Sequence, residues 1–376
     1  MTTLKGMTWN HPRGYDPMLA VSAEWERSNG VKIHWDKRSL QDFESYPVED
    51  LAREYDLIVI DHPHVGQITA EGCLLPLPET PEIAQASVGL SYPSYNWQGK
   101  QWAYPIDAAA QVQAIRPDLI SCAPTTWNEV MDLAKDGRVA IPLRSPHALM
   151  SFFTMVANAG HPCRNEGRGL LIDRITGIRT LERMAALTKL IDPACFKQDP
   201  IELLEQMAHG DDIICTPLIY GYVSYARHNA SGKQLSFHDI PENKPGTGCG
   251  GSVLGGTGIA VSAFSAKPEA AITFARHIAG PGIQCTLYAT SGGQVGHADA
   301  WRDSSVDNAA GGFYSGTAQT LKSAWLRPRH NGYMSFQHAA SERIVTALQD
   351  GNYAVAIDDM EKLFAATFSP PQAIRR

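Results

Sequence analysis

The stretch Gly99-Lys-Gln-Trp-Ala-Tyr-Pro-Ile-Asp107, followed by Pro124-Thr-Thr-Trp-Asn-Glu-Val-Met-Asp132, is the part of the sequence that decides the fold. The first stretch has the pattern of a β-strand, and its proline stiffens the strand close to a chain crossing. In the second stretch, Thr126 and Glu129 stand at the spacing of a capping box. The sequence therefore predicts a strand that reaches a domain boundary, followed by a capped amphipathic helix from Trp127 to Lys135.

These two stretches resemble, in order and spacing, the hinge of the family 1 extracellular solute-binding proteins, the sugar-type receptors of ABC importers. That family carries a Gly-Lys-x-Tyr/Trp-x-x-Pro-x-Asp run and, further along the chain, a Pro-x-Thr-Trp-x-Glu-Leu run. The resemblance extends over nearly the whole chain. It implies an α/β fold of the two-lobe, type II periplasmic-binding-protein kind, in which each lobe is a mostly parallel sheet flanked by helices and several hinge strands join the lobes.

The same resemblance implies a function. A small polar ligand such as a sugar, a polyol or a sugar acid would be captured in the cleft between the lobes and delivered to an ABC permease and its ATPase. Receptors of this kind close around their ligand and carry out no reaction, so we expect neither enzymatic activity nor a cofactor. We also expect a monomer.

Length and composition indicate a globular protein of two domains that does not insert into a membrane. The 376 residues exceed the roughly 100–200 residues of an ordinary domain, which favours two domains. The chain is 44% hydrophobic and 19% charged, without the roughly 18 consecutive apolar residues that would span a bilayer, so we expect no membrane insertion. A formal charge of −7 and the lack of a Lys/Arg-rich run argue against nucleic acid as a partner.

The start of the sequence and its cysteines leave the location open. The stretch from Met1 to Trp9 lacks the basic start, apolar core and small-residue cleavage site of a secretory signal. The seven cysteines are scattered and odd in number, which suits a reducing compartment better than a disulfide framework. The family resemblance implies a periplasmic protein whose signal has been removed, and a cytoplasmic location is the alternative.

Short apolar runs alternate with helical patterns in the first sixty residues. Strands are predicted over Leu4–Trp9, Val31–Trp35 and Leu57–Ile60, and helices over Asp16–Asn29 and Leu40–Tyr55. This βαβαβ pattern predicts a parallel sheet with helices on its faces. Ligands of open α/β sheets bind beyond the carboxyl ends of the strands, so the loops after the first and third strands are candidate binding loops.

The remaining pattern predicts a second lobe and a return to the first. Strands are expected over Val139–Leu143 and Ile213–Tyr220, and the glycine-rich tract Pro245–Gly258 is expected to carry the chain back across the boundary. That tract contains a G-x-G-x-x-G pattern, but it lacks the preceding strand and following helix of a dinucleotide site. We therefore predict one lobe from residues 1–108 and 257–304, and a second from residues 109–256 and 305–376.

Polar and aromatic residues near the predicted strand ends and crossings are the candidate ligand-binding residues. Sugar hydroxyls require polar partners with fixed geometry, and sugar rings stack on aromatic faces. Arg13 and Arg144 are expected to face the cleft from opposite lobes, and they would bind either an anionic group or a pair of hydroxyls. The full predicted set is Trp9, Asn10, Arg13, Asp61, His62, Tyr104, Asp107, Arg144, Ser145, Tyr220, Tyr222, Gly256, Thr257 and Arg329.

An alternative from another class is a signal-less cytosolic enzyme or ligand sensor built on the same fold. Its metal would be held by His11, Asp61, His62 and His64, which lie in the two candidate binding loops. Ordinary polar loop residues explain these four side chains better than a metal site does, so no metal is predicted. The sequence also lacks the G-x-x-x-x-G-K-[ST], H-E-x-x-H and G-x-S-x-G signatures of common enzymes.

Overall fold

The computed structural model describes residues 2–39, 48–227 and 232–368. The strands in these ranges are β1 (Thr2–Trp9), β2 (Val31–Arg38), β3 (Leu57–Ile60), β4 (Asn96–Trp97), β5 (Lys100–Gln101), β6 (Tyr104–Ile115), β7 (Cys215–Tyr220), β8 (Ser236–His238) and β9 (Leu254–Val261).

Helices surround these strands. The α-helices are α1 (Pro12–Asn29), α2 (Val48–Glu54), α3 (Val65–Ala70), α4 (Pro81–Gln85), α5 (Ser91–Ser94), α6 (Trp127–Ala134), α7 (His147–Asn158), α8 (Arg174–Thr188), α9 (Pro200–His209), α10 (Val223–Ala226), α11 (Pro268–Ala279), α12 (Pro281–Ile283), α13 (Ala298–Arg302), α14 (Ser304–Ala309), α15 (Phe313–Lys322), α16 (Tyr333–Asp350) and α17 (Tyr353–Ala366). Short 3-10 or π turns lie at His62–His64, Pro193–Lys197 and Gln284–Tyr288.

The main sheet has the strand order β2-β1-β3-β9-β6-β7, and β8 also pairs with β6. As predicted, β1 is parallel to both β2 and β3. The pairings of β9 with β3 and β6, and of β6 with β7 and β8, are antiparallel. The half of the sheet around β6 is therefore antiparallel, the sheet as a whole is mixed, and the fold is mixed α/β.

The strand predicted over Val139–Leu143 is not formed. Within this segment Val139 makes a single bridge, to Cys215. Pro142 lacks the N–H group that a strand must donate at that position, so the ladder cannot continue. The predicted helix over Leu40–Tyr55 is present from Val48, and residues 40–47 of it lie outside the described ranges.

Strand β6 joins β9 to β7 and β8 within the sheet. It is buried along its whole length; its first half pairs with β9, and its second half pairs with β7 and β8. Gly256 in β9 has φ +98°, and an added Cβ there would lie 2.4 Å from the carbonyl oxygen of Asp107. Only glycine permits this close approach of the two strands. The division of the chain into the two predicted lobes stays a prediction.

The capping box at the start of α6 is confirmed. Thr126 Oγ1 accepts a hydrogen bond from the backbone N–H of Glu129 at 3.3 Å, and a Glu129 carboxylate oxygen accepts from the N–H of Thr126 at 3.2 Å. These two bonds satisfy N–H groups that a helix start otherwise leaves unpaired. The helix begins at Trp127, whose side chain is buried.

All seven cysteines lie within the described ranges, and all are free thiols. None of the helices in the described ranges combines the length and the apolar character required to cross a bilayer.

Candidate ligand-binding pocket

A pocket lies where the carboxyl ends of β1, β3 and β7 meet β9. Its walls come from segments far apart in the chain, and its cavity volume is about 70 Å³. The carboxyl ends of strands are where open α/β sheets bind ligands. The walls are formed by Trp9, Arg13, Asp61, His64, Ala109, Pro146, His147, Met150, Pro200, Tyr220, Tyr222, Gly255, Gly256, Thr257, Arg327, Met334 and Gln337.

Arg13, at the start of α1, is held by a bidentate ion pair. Its Nε donates to Asp107 Oδ2 at 2.7 Å and its Nη2 to Asp107 Oδ1 at 2.5 Å, while Nη1 donates to the carbonyl oxygen of Gly221 at 2.8 Å. Burial alone would lower the pKa of Arg13, but the charge and hydrogen bonds of Asp107 outweigh burial and raise it. The guanidinium therefore stays charged. Burial raises the pKa of Asp107 and the charge of Arg13 opposes that shift, while the bidentate contact holds the Asp107 carboxyl group against the guanidinium.

Asp61 and Arg327 form a second ion pair at the pocket, in which Arg327 is buried and Asp61 is partly buried, between residues 266 positions apart in sequence. Arg327 Nη2 donates to Asp61 Oδ2 at 2.6 Å, and Nη1 donates to the side-chain oxygen of Gln337 at 3.1 Å. Burial would raise the pKa of Asp61, but the adjacent Arg327 and the hydrogen bonds to His62 and Arg327 lower it below its usual range. The carboxylate is consequently ionised near neutral pH.

Three polar atoms that belong to pocket-lining residues are buried without a hydrogen-bond partner among the described residues. They are Arg327 Nε, His147 Nδ1 and Thr257 Oγ1. Buried polar groups in folded proteins are almost always paired, so three such atoms at one cavity need an explanation. Burial lowers the pKa of His147 to about 3, with Arg144 and Arg327 adding to the effect, so this imidazole is neutral at pH 7.

Aromatic rings form another part of the walls. Trp9 packs against the backbone of Gly14, where an added Cβ would lie 2.3–2.5 Å from the indole ring. Tyr222 stacks under the guanidinium of Arg13, with 4.5 Å from Cζ to the ring centroid. Tyr220 is half-buried, and its ring meets that of His147 edge-on at 6.2 Å.

Seven of the predicted residues line the pocket: Trp9, Arg13, Asp61, Tyr220, Tyr222, Gly256 and Thr257. Asp107 lies behind Arg13, to which it is paired, and is almost completely buried. The structure does not bring the other six to the walls: Asn10, His62, Tyr104, Arg144, Ser145 and Arg329.

Arg144 and Ser145 lie on the surface side of the loop before α7. Arg144 pairs with Asp199 and with Glu202, both at the start of α9. Ser145 Oγ lies 3.2 Å from His338 Nδ1. The prediction that Arg13 and Arg144 face each other across the ligand relied on a strand ending at Leu143, and that strand does not form.

The others have partners elsewhere or are exposed. Tyr104 is the first residue of β6 and does not line the pocket. Its hydroxyl donates to the carbonyl oxygen of Pro78 and accepts from the hydroxyl of Thr80. His62 is completely buried beside Asp61, and Asn10 is exposed.

Arg329 lies beyond the pocket. Its Nη1 donates to the carbonyl oxygens of Pro93, Ser94 and Asn96 at 3.0, 3.0 and 2.7 Å.

The alternative metal site is not assembled. Among the described residues, no group of three or more His, Cys, Asp or Glu side chains is placed to hold a metal ion. Asp61 is instead paired with Arg327, and His11 Nδ1 accepts the backbone N–H of Arg13 at 3.1 Å as the cap of α1. These contacts explain His11 and Asp61 without a metal.

Sequence reasoning missed the pocket residues of α7, α9 and α16, including His147, Met334 and Gln337. Arg327 is not in the predicted set, although Arg329, two residues further on, is. The Arg327-Pro328-Arg329 segment is a signal for an anion or hydroxyl site. The neighbouring sequence does not indicate which of the two arginines faces the pocket.

The fold and this pocket at its strand ends define a binding protein of the α/β class. The chain belongs to the bacterial extracellular solute-binding proteins, whose family profile matches residues 20–295. Two of the solved structures that resemble it are described as ABC transporter solute-binding proteins.

Solved structures support the same fold. An ABC transporter solute-binding protein from Agrobacterium radiobacter K84, in complex with ribitol, is 18% identical with a TM-score of 0.79, covering 98% of this chain and 99% of that one. A solute-binding protein from Thermotoga lettingae bound to α-D-tagatose is 16% identical with a TM-score of 0.82, covering 98% and 100%. Maltose-bound MalE3 of T. maritima is 14% identical with a TM-score of 0.82, covering 96% and 98%.

Proposed function

We propose that this chain captures a small neutral sugar or polyol in the pocket and delivers it to an ABC importer without chemical turnover. The observation that carries the proposal is the set of unpartnered buried atoms, Arg327 Nε, His147 Nδ1 and Thr257 Oγ1. Leaving a buried polar group unpaired costs roughly 1–3 kcal/mol. Hydroxyl groups both donate and accept, so a polyol can pair all three atoms, whichever tautomer His147 adopts.

The balance of charge favours a neutral ligand over a sugar acid. Arg13 is matched by Asp107 and Arg327 by Asp61, and burial keeps His147 neutral at pH 7. An anionic ligand would have to compete with Asp61 for Arg327 and would place two negative charges beside one guanidinium. Like charges held close together in a buried site are strongly unfavourable.

The cavity volume favours a small ligand. A buried water molecule needs roughly 10–15 Å³ of space, so a cavity of about 70 Å³ has room for only a few water molecules or for one small ligand in their place. Two of the structural relatives hold ligands of single-sugar size, ribitol and tagatose. We propose the same size class for this chain.

Ligand capture would proceed by closure of the two predicted lobes. Asp61 belongs to the first predicted lobe and Arg327 to the second, so this ion pair and any ligand beside it would join them. A ligand that gains contacts from both lobes favours the closed state by the difference in contact energy. The partners would be a permease and an ATPase, and the receptor would act as a monomer outside the cytoplasmic membrane, as the extracellular family description suggests.

Calorimetric titration of the purified protein tests the proposal. The neutral probes are ribitol and glucose, each with its own acid, ribonate and glucuronate, as the matched anionic ligand, and tagatose serves as a further neutral probe. We expect saturable binding of at least one neutral probe and at least about tenfold weaker binding of its acid, a difference of about 1.4 kcal/mol. Tighter binding of the acids, or no binding of any neutral probe, would overturn the proposal.

A further inference from the structure

We propose that Arg329 limits the length of the ligand by separating the pocket from a second hollow. The inference rests on the proposed function, since it assigns a size limit to the same sugar or polyol site. Arg327 lines the pocket, whereas Arg329, two residues further on, lines a neighbouring hollow of about 340 Å³. The segment Arg327-Pro328-Arg329 therefore contributes to both spaces.

The second hollow has polar residues and one aromatic ring on its walls. One wall is formed by residues 96–98, including the half-buried ring of Trp97, and the other by residues 165–167. These two walls come from the first and second predicted lobes, as do the walls of the pocket. A ligand of two or more sugar rings that ran along the boundary between the lobes would need both spaces joined.

The Arg329 side chain holds the boundary closed at this point. A single nitrogen, Nη1, donates to three carbonyl oxygens, those of Pro93, Ser94 and Asn96, at 2.7–3.0 Å. The guanidinium also lies over Trp97, with 5.4 Å from Cζ to the ring centroid. Arg329 is only 9% exposed, so the contact excludes most of the solvent.

The backbone of the same segment closes the other side. A Cβ added to Gly66 in α3 would lie 1.9 Å from the carbonyl oxygen of Arg329. The helix and the segment are therefore in direct contact, and no sugar ring passes between them. The Arg329 side chain is bound to residues 93–96 and its backbone lies against α3. The pocket is therefore limited to a ligand of one sugar or polyol unit.

The test compares the parent protein with Arg329→Ala, and uses Arg343→Ala as the matched control. Arg343 also belongs to the second predicted lobe, but its side chain is 56% exposed and pairs only weakly with Asp359. Ribitol and tagatose serve as short probes, and maltose and maltotetraose as extended probes, in calorimetric titrations. Circular dichroism and thermal unfolding establish that each variant is folded.

We expect the parent and the control to bind a short probe at least about tenfold more tightly than maltotetraose, a difference of about 1.4 kcal/mol. In Arg329→Ala this ratio should fall by at least about tenfold because the two spaces become continuous. A parent protein that binds maltotetraose as tightly as the short probes overturns the size limit, whether or not the variant folds. An unchanged ratio in a folded Arg329→Ala overturns the role of Arg329. A parent that binds neither short nor extended probes refutes the proposed function itself, and the size limit with it.

Discussion

At the scale of single residues, Thr257 offers the most direct test of the pocket. Thr257 lines the pocket, its hydroxyl is buried, and no hydrogen-bond partner for this hydroxyl is found among the described residues. Thr257→Val keeps the shape and removes the hydroxyl, so we expect unchanged or slightly higher thermal stability. Binding of ribitol or tagatose should weaken by about fivefold to tenfold, because one hydrogen bond contributes about 1 kcal/mol.

Calorimetry and thermal unfolding on the same preparation decide this prediction. The matched control is Thr346→Val, since Thr346 is on the exposed face of α16 and bonds only to its own helix. Equal affinity in Thr257→Val and the parent would mean that the ligand does not use this hydroxyl.

Tyr220 and Trp9 both line the pocket, but their environments differ. Tyr220 is half-buried, whereas Trp9 is 3% exposed and packs tightly on Gly14. We expect Tyr220→Ala to lose ligand affinity with little loss of stability, since aromatic contacts contribute about 0.5–1.5 kcal/mol beyond buried area. Trp9→Ala should weaken binding and also lower the free energy of unfolding by about 3–5 kcal/mol. Titration and urea unfolding of both variants check this, and a large stability loss in Tyr220→Ala alone would assign that ring to the core.

The Asp61–Arg327 pair makes stability depend on pH in a defined direction. The folded-state pKa of Asp61 is lowered, so its contribution is complete above the ordinary carboxyl pKa of about 4 and is lost as pH falls further. We expect Asp61→Asn to cost about 3–5 kcal/mol at pH 7, because Arg327 is left buried without its counter-charge. The cost should shrink when urea unfolding is measured near pH 2–3.

Asp132→Asn is the control for this measurement, because Asp132 is exposed and pairs with Lys135 on the surface. A cost for Asp61→Asn that stays constant between pH 7 and pH 2 would contradict the ionised pair.

At the scale of elements, the cap of α6 can be tested separately from the binding site. Thr126→Ala removes the oxygen that accepts the N–H of Glu129, and loss of such a cap costs about 0.5–2 kcal/mol. We expect this loss in urea unfolding, with ligand affinity unchanged, because α6 contributes no residue to the pocket walls. Thr346→Ala, in the middle of α16, is the control and should change stability by less than about 0.5 kcal/mol. A Thr126→Ala protein as stable as the parent would show that Glu129 alone sustains the helix start.

Local sequence patterns correctly predicted the elements whose structure depends only on residues that are neighbours in the chain. In β3 a continuous apolar run predicts the strand, and in α6 a capping box predicts the helix start; each signal lies within a few neighbouring residues. The pattern failed at Val139–Leu143, where apolar composition suggested a strand but Pro142 removed a necessary donor. This failure also misplaced Arg144, whose predicted position in the cleft depended on that strand.

At the scale of the whole molecule, the site depends on contacts that no local pattern contains. Asp61 was predicted because it follows an obvious strand, but its partner Arg327 is 266 residues away. The sequence around Arg327 does not indicate whether it turns toward the pocket or, like Arg329, toward the carbonyl groups of residues 93–96. Pocket residues from α7, α9 and α16 were missed for the same reason, since only the packing of distant helices brings them to the strand ends.

The last prediction concerns motion between the predicted lobes, residues 1–108 with 257–304 and residues 109–256 with 305–376. Asp61–Arg327 and the Arg329 contacts connect these two sets, so closure should depend on them. Spectroscopic labels introduced as non-natural residues at Leu19 and Leu170, both exposed, report the distance between lobes. A pair at Leu19 and Phe264, which is also exposed, lies within the first predicted lobe and serves as the control.

In distance measurements by pulsed electron resonance, we expect ribitol or tagatose to narrow and shift the Leu19–Leu170 distribution while the Leu19–Phe264 distribution stays fixed. Asp61→Asn combined with Arg329→Ala should broaden the ligand-free Leu19–Leu170 distribution toward longer distances, because the contacts that favour the closed state are lost. Movement of the control pair by the same amount would contradict the lobe division. If ligand binds but neither pair moves, the chain binds its ligand as a rigid body and closure is not the mechanism of capture.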